Sequence, residues 1–234
     1  TVAGRAAVKG SENTVTLLPD AGGTVGAIAI SNEAGDDTYV LAESDGTGTT
    51  SGYAQNAVVE DDVFLQGRYL SLGISGSGSF GTATSAPTGF NSSSRYQNKV
   101  GMSIDKDGFG EGNSPTTGDF FLPGSPEEGF SVGYKIGGSA STFSNVERNY
   151  TTQITKESVS NFSSGDTLSA RWVGVTGSGG NKMKVTQLIS FHEQSKYFEN
   201  TITLTNVSSD TLQSVRYMRS FDPDQDLDLN NTFT

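Results

Sequence analysis

Polar and apolar residues alternate along much of the chain, whereas a helical spacing of apolar residues is nearly absent. No stretch of about 12 residues has apolar positions at i, i+3, i+4 and i+7 framed by good helix formers. Strand-like stretches separated by Gly-, Asp- and Ser-rich breaks lie at residues 14–18, 24–31, 38–42, 63–74, 129–136, 149–159, 168–175, 182–193, 197–206 and 212–220. This pattern predicts an all-β protein, an antiparallel β-sandwich of jelly-roll-like type.

Three details of the pattern are specific predictions. Residues 14–18 and 24–31 flank a Pro- and Gly-containing break, so we expect them to pair as a hairpin. Residues 63–74 alternate apolar and polar positions and predict one long, half-buried strand. The last three strands each place most of their apolar residues on one face: Val185, Ile189 and Phe191, then Ile202 and Leu204, then Val215, Tyr217 and Phe221.

Two low-complexity segments indicate how the chain is organised. Residues 44–52 form a Gly/Thr-rich loop that is soon followed by an acidic run at 60–62. We therefore place a soft boundary there, with an N-terminal β-hairpin region at 1–62 and a main sandwich domain at 63–234. The alternative, in which the first strands belong to the sandwich, stays open. Residues 75–94 are rich in Gly and Ser but contain Phe80 and Phe90, which predicts an ordered loop over a sheet end.

Composition narrows the classes of function. The chain has 15 Lys and Arg against 26 Asp and Glu, a net charge of −11, which argues against binding nucleic acid or an anionic membrane. It has no cysteine, so disulfides, thiolate metal sites and cysteine nucleophiles are excluded. The single histidine, His192, excludes two-histidine zinc motifs. Because His192 follows the apolar Phe191 in an alternating strand, we expect it to face solvent.

The same composition favours an extracellular location. The chain is acidic, free of cysteine and rich in Ser, Thr and Gly, which suits a secreted or surface protein of bacteria. The longest apolar run, residues 25–30, is far shorter than the roughly 20 residues of a membrane-spanning helix. No basic segment followed by an apolar one stands at Thr1, so we expect the numbering to begin at a mature end or within a longer polypeptide.

An acidic run near the end of the chain predicts a calcium site. Asp222, Asp224, Asp226 and Asp228 stand at every second position directly after the last predicted strand. Ca²⁺ binds six to eight oxygen atoms, which alternate aspartates and the intervening carbonyls can supply. Leu227 stands where a helix–loop–helix calcium loop needs glycine, so that motif is rejected. The alternative is a solvated acidic loop, whose carboxylates would repel one another.

A second acidic segment predicts a weaker metal site. Asp105, Asp107, Glu111 and Asn113 stand in a short, glycine-containing loop of the kind that can wrap Ca²⁺. The alternative is an ordinary Gly/Asp turn between strands.

No motif indicates catalysis. The chain lacks the G-x-S-x-G turn of serine hydrolases and the glycine signatures of phosphate- and dinucleotide-binding loops. A glycosidase needs only two suitably spaced carboxylates, and Glu127 and Glu128 are the obvious candidates. Adjacent residues of an extended chain point to opposite sides, so these two make a poor acid/base pair. We therefore expect no enzymatic activity.

Two segments carry a family resemblance. Residues 118–129 (GDFFLPGSPEEG) and 216–226 (RYMRSFDPDQD) resemble the β-sandwich modules of large bacterial extracellular proteins, and most of all the ligand (peptide)-binding domains of giant repeats-in-toxin adhesins. Residues 67–89 also resemble these modules. The resemblance covers roughly residues 63–234 and extends to pieces of surface-layer and sheath proteins. It implies a calcium ion at the 222–228 loop that helps to hold a ligand.

Three hypotheses follow. The first is a calcium-stabilised, non-enzymatic module at the bacterial cell surface that binds a peptide or glycan for adhesion. The second is a self-assembling subunit of a surface layer, sheath or filament, whose N-terminal strands add to the sheet edge of another copy. The third is a carbohydrate-active enzyme that works through two carboxylates.

Overall fold

A computed structural model describes residues 4–8, 15–19, 29–33, 36–40, 53–92, 97–111, 119–122, 127–146, 151–177 and 182–222. All regular structure in these residues is β-strand, and every strand pair is antiparallel. The predicted all-β, antiparallel sandwich-like fold is confirmed.

The first half of the chain contributes two sheets. A two-stranded sheet is made of β1 (Gly4–Val8) and β2 (Val15–Pro19). A six-stranded sheet runs in chain order through β3 (Ala29–Glu33), β4 (Asp36–Val40), β5 (Gln55–Val59), β6 (Asp62–Gln66), β7 (Leu70–Ile74) and β8 (Met102–Ile104). The soft boundary predicted between residues 62 and 63 thus falls within β6, directly after its first residue, and β6 pairs with β5 in one sheet.

The second half contributes two four-stranded sheets. Their strands are β9 (Glu127–Ile136), β10 (Ser139–Val146), β11 (Thr151–Thr152), β12 (Ile154–Asn161), β13 (Thr167–Thr176), β14 (Met183–His192), β15 (Glu199–Asn206) and β16 (Gln213–Asp222). One sheet, which we term the β9 sheet, has the order β11-β10-β9-β16, and the other, which we term the meander sheet, has the order β12-β13-β14-β15. Although β15 and β16 are consecutive in the chain, they are terminal strands of two different sheets.

The hairpin predicted between residues 14–18 and 24–31 is not seen among the described residues, and its turn and residues 24–28 lie outside them. Val15–Pro19 pairs with the preceding Gly4–Val8, and Ala29–Glu33 pairs with the following Asp36–Val40. Each of these two strands therefore pairs with another strand that is equally near in the sequence. Alternation of polar and apolar residues does not by itself indicate which of two nearby strands is the partner.

The single long strand predicted at residues 63–74 is also wrong. The chain turns at Gly67, whose amide donates to the Leu70 carbonyl at 2.9 Å, and β6 and β7 form a hairpin. A Cβ atom at Gly67 would lie 2.3 Å from the carbonyl oxygen of Glu193, so only glycine permits this close approach. Both strands are completely buried rather than half-buried, because other elements cover the two faces of the sheet.

The inner face of the meander sheet packs on two sheets at once. Near one end of β13 and β14, Leu168, Ala170, Ile189 and Phe191 pack against the β6–β7 hairpin. Near the other end, Trp172, Met183 and Val185 pack against Phe130, Val132 and Tyr134 of β9. The meander sheet is therefore one layer of the sandwich, and the six-stranded and β9 sheets form the opposite layer.

The Gly/Ser-rich segment from residue 75 to 92 is an ordered covering of the six-stranded sheet. Phe80 is buried in the core between this sheet and the meander sheet. Phe90 packs on Phe64 from the opposite face of the sheet, with ring centroids 5.8 Å apart. The prediction of an ordered loop is confirmed for the described part of the segment, since its aromatic side chains anchor it on both faces.

The predicted faces of the last three strands are confirmed for β14 and only partly for β16. Val185, Ile189 and Phe191 are all buried. In β16, by contrast, Val215 and Phe221 are 42% and 61% exposed. The register of β16 on β9 shifts between Gln213 and Arg216, so Val215 lies in a bulge. Phe221 lies at the far end of an edge strand, where less of the opposite layer covers it.

Candidate functional site

The acidic run predicted to bind calcium starts at the end of β16. Asp222 is the last residue of that strand and lies directly opposite Glu127, the first residue of β9. Like charges at directly opposed positions of an antiparallel pair are unfavourable unless something neutralises them. Asp224, Asp226 and Asp228 lie outside the described residues.

Asp105 of the second acidic segment shapes its own loop. The side chain is buried, and its Oδ1 accepts hydrogen bonds from the backbone amides of Asp107 at 2.9 Å and Gly108 at 3.2 Å. Gly108 has φ = 109°, a conformation that favours glycine. This arrangement is an Asx-type turn, in which the carboxylate replaces a backbone acceptor.

Glu111 already has a cationic partner. Its Oε2 lies 2.6 Å from Nη2 of Arg68, and its Oε1 accepts a hydrogen bond of 2.6 Å from the Tyr53 hydroxyl. The hydrogen bond from Tyr53 and then that from Arg68 lower the pKa of Glu111. Asn113 lies outside the described residues, and within those residues no three His, Asp or Glu side chains are grouped to hold a metal ion.

Aromatic rings and cations surround the same loop, in an arrangement that we term the tyrosine–cation cluster: Tyr53, Arg68, Tyr69, Glu111 and Lys196. The Arg68 guanidinium lies 4.9 Å from the ring centroid of Tyr53 and 5.1 Å from that of Tyr69. The Lys196 ammonium lies 4.6 Å from the Tyr69 centroid. No sequence motif indicates this cluster, because its members come from segments that only the fold brings together.

Lys196 also ties the end of the meander sheet to the acidic loop. Its Nζ donates to the backbone carbonyl of Lys106 at 2.8 Å. From the other side, the backbone amide of Phe109 donates to the Arg68 carbonyl at 2.8 Å. The loop is thus anchored to two different elements. Tyr197, which directly follows Lys196 of the cluster in the chain, is 70% exposed.

A buried polar network lies where the three large sheets meet. Arg219 of β16 donates from Nε to Oε1 of Glu128 on β9 at 2.6 Å and from Nη1 to Oε1 of Gln187 on β14 at 2.6 Å. Tyr217 donates to the same Gln187 oxygen at 3.3 Å. Glu128 and Gln187 are almost completely buried. Burial is the main cause that raises the pKa of Tyr217.

The loop between β7 and Phe80 enters the same junction. The Phe80 amide donates to Oε2 of Glu128 at 2.5 Å, and the Arg219 guanidinium lies 4.2 Å from the Phe80 ring centroid. Trp172 donates from its indole nitrogen to the Gly76 carbonyl at 2.9 Å. Glu128, a candidate for catalysis in the sequence analysis, is therefore an acceptor that joins β9, β16 and this loop.

A cavity of about 320 Å³ lies beside the turn between β5 and β6. Its lining includes Glu60, Asp61 and Asp62. Asp62 accepts hydrogen bonds from the amide and hydroxyl of Thr84, both at 2.7 Å, and Asp61 forms an ion pair with Lys156. Two of the three carboxylates thus have protein partners.

His192 faces solvent, as predicted. It is exposed while the adjacent Phe191 is buried, and its Nε2 lies 4.0 Å from Oδ2 of Asp166, which is half exposed. Separately, no helix of the described residues is long and apolar enough to cross a membrane.

Comparisons of the chain with protein-family models, with curated proteins and with solved structures find no match.

Proposed function

We propose that this chain is a non-enzymatic, calcium-stabilised module of the bacterial cell surface or extracellular space that binds a peptide or glycan for adhesion. The tyrosine–cation cluster is the observation that carries the proposal. Ligand sites commonly combine aromatic rings with a few fixed polar groups. Here two tyrosine rings flank one guanidinium, and Glu111 fixes the orientation of both Tyr53 and Arg68.

Calcium has its best position at the 222–228 loop. Asp222 starts the acidic run and pairs with Glu127 in the backbone register of β16 and β9, so each of the two strands contributes an acidic residue at this edge. A divalent cation would offset the repulsion expected of such an acidic run and add its binding free energy to folding. The 105–113 segment supports calcium less well, because Asp105 and Glu111 already have protein partners.

Thermal unfolding in Ca²⁺ and in EDTA tests the metal. We expect Ca²⁺ to raise the unfolding temperature of the native chain. The quadruple variant D222N/D224N/D226N/D228N should lose that rise, whereas the control D105N/D107N should keep most of it. Equal unfolding temperatures of the native chain in both buffers would refute the calcium site.

Ligand binding is tested on peptide and glycan arrays. We expect a class of ligand whose binding is lost in Tyr69→Ala and kept in Phe162→Ala, a control in which an exposed aromatic ring over Arg171 is removed from another part of the surface. Binding that survives both substitutions equally would place the site elsewhere. An array without any bound ligand would refute the adhesive function.

A self-assembling structural subunit is the second candidate. The observation that favours it is that, among the described residues, β1 and β2 pair only with each other, and a two-stranded sheet is marginally stable in isolation. A carbohydrate-active enzyme has less support. Its candidate Glu128 is buried and bound to Arg219, whereas an acid/base carboxylate must reach the glycosidic bond of a bound sugar.

A further inference from the structure

We infer that two copies of this chain associate edge to edge through β16, in antiparallel register about a two-fold axis at Arg219. This association requires neither calcium nor an adhesive ligand, although it shares Asp222 with the proposed calcium site. β16 is the terminal strand of the β9 sheet and pairs with no second strand among the described residues. An exposed edge of this kind presents unpaired amide and carbonyl groups.

The exposed side chains of β16 are unusual for a free edge. Met218 and Phe221 are 58% and 61% exposed, and both are large and apolar. Charged residues, proline and bulges commonly protect a free edge strand, and β16 has them at its ends, in the 213–216 bulge, Arg216 and Pro223. Between these ends the charge of Arg219 is engaged by Glu128 and leaves the apolar side chains exposed. Here apolar side chains project from both faces of the strand, since Met218 and Phe221 stand at positions of opposite parity.

The pairing length and register follow from the ends of the strand. The register of β16 shifts between Gln213 and Arg216, and Ser214 has φ = 50°, so regular pairing starts only at Arg216. At the other end, Pro223 follows Asp222, and proline has no amide to donate to a ladder. The regular stretch is therefore 216–222, and two such stretches overlap completely only when Arg219 lies at the two-fold axis.

That register makes the strand complementary to itself. Arg216 stands opposite Asp222 of the second copy, and the symmetry repeats this pairing of opposite charges. Tyr217 stands opposite Phe221, which gives two cross-strand aromatic pairs. The axis brings two Arg219 residues together, but each guanidinium is already neutralised by Glu128 of its own chain at 2.6 Å.

Phe221 is held in place for such a contact. Its ring lies 5.8 Å from that of Phe121 in an edge-to-face arrangement, although it is largely exposed. Tyr217 is held by the Phe130 ring at 6.0 Å. Because both rings have partners within one chain, little side-chain freedom is lost when the second copy pairs with them.

Sedimentation velocity in EDTA tests the inference without any contribution from calcium. One strand pair makes a small interface, so protein concentrations from about 1 µM to about 1 mM cover the expected dissociation constants. We expect a monomer–dimer equilibrium for the native chain. Arg216→Asp and Asp222→Arg should each weaken dimerisation about tenfold or more, since each replaces two attractive contacts with two repulsive ones.

The double variant R216D/D222R decides the register. It restores both opposite-charge contacts with their signs exchanged, so its dimer should be much stronger than that of either single variant. Thr203→Asp on β15, the free edge of the meander sheet, is the matched control and should leave dimerisation unchanged. A monomeric native chain, a double variant as weak as the single ones, or an equal loss in Thr203→Asp would each overturn the inference.

Discussion

The Nε atom of Arg219 lies 2.6 Å from Oε1 of Glu128, although 91 residues separate them in the chain. The pair is deeply placed, with side chains 16% and 1% exposed. It joins two neighbouring strands of the β9 sheet. Through Gln187 it also contacts the meander sheet, and through Phe80 it contacts the 75–92 segment, which we term the covering loop. The geometry of the whole junction therefore depends on one ion pair.

Removal of one member of this pair should be strongly destabilising. Glu128→Ala leaves the Arg219 charge buried without its carboxylate, so we expect a loss of about 3–5 kcal/mol in the free energy of unfolding. Glu157→Ala, which breaks the half-exposed pair of Glu157 with Lys184, should cost less than about 1 kcal/mol. Urea denaturation measures both values. Equal losses in the two variants would show that the buried pair contributes no more to the free energy of unfolding than the half-exposed pair does.

Gly78 is the position in the covering loop that should tolerate substitution least. It has φ = 83°, and a Cβ atom there would lie 2.7 Å from Cδ2 of Trp172. Gly78→Ala therefore combines backbone strain with overpacking, and we expect a loss of about 3 kcal/mol. Gly138 has a similar φ of 88° with nothing within 4 Å, so Gly138→Ala isolates the backbone cost of about 1 kcal/mol. Equal losses in a denaturant titration would disprove the close contact with Trp172.

Asp119 should make stability fall as the pH rises. Burial raises the pKa of this carboxyl, while hydrogen bonds from four backbone amides oppose the shift. The folded state then holds the proton more tightly than the unfolded state. The stabilising contribution is complete below the unfolded pKa, near 4, and it is lost as the pH rises through the raised folded pKa.

The measurement for Asp119 is the free energy of unfolding of the native chain minus that of Asp119→Asn, followed against pH. We expect this difference to decrease from about pH 4 upward. An increase would mean that the four amides outweigh burial and lower the pKa.

Glu111 should respond to both Tyr53 and Arg68. The hydrogen bond from Tyr53 is the largest single cause of its lowered pKa, and the hydrogen bond and then the charge of Arg68 lower it further, so Tyr53→Phe and Arg68→Gln should each raise that pKa. A lowered carboxyl pKa stabilises the fold above the unfolded value, and this contribution is lost as the pH falls through the folded pKa. Carboxyl chemical shifts in an NMR titration give the pKa directly. A Glu111 pKa that is unchanged in either variant would contradict the geometry.

The sequence alone determines the class of fold and several of its strands. Alternation is a local property, and strands such as Met183–His192 display it because one face is buried and the other is not. The orientation of His192 followed from the same rule. Alternation failed at residues 63–74, because a tight turn at Gly67 preserves the alternating pattern while it reverses the chain.

Only the tertiary structure decided which strands share a sheet and which polar residues meet. The sequence offered Glu128 only as one of two adjacent candidate carboxylates, and the placement of β16 beside β9 revealed Arg219 as its partner. Nothing near Arg68 in the sequence indicated Tyr53 or Glu111 as its partners. These contacts join segments that are far apart in the chain. They depend on sheet order and layer packing, which the local pattern of hydrophobic residues does not specify.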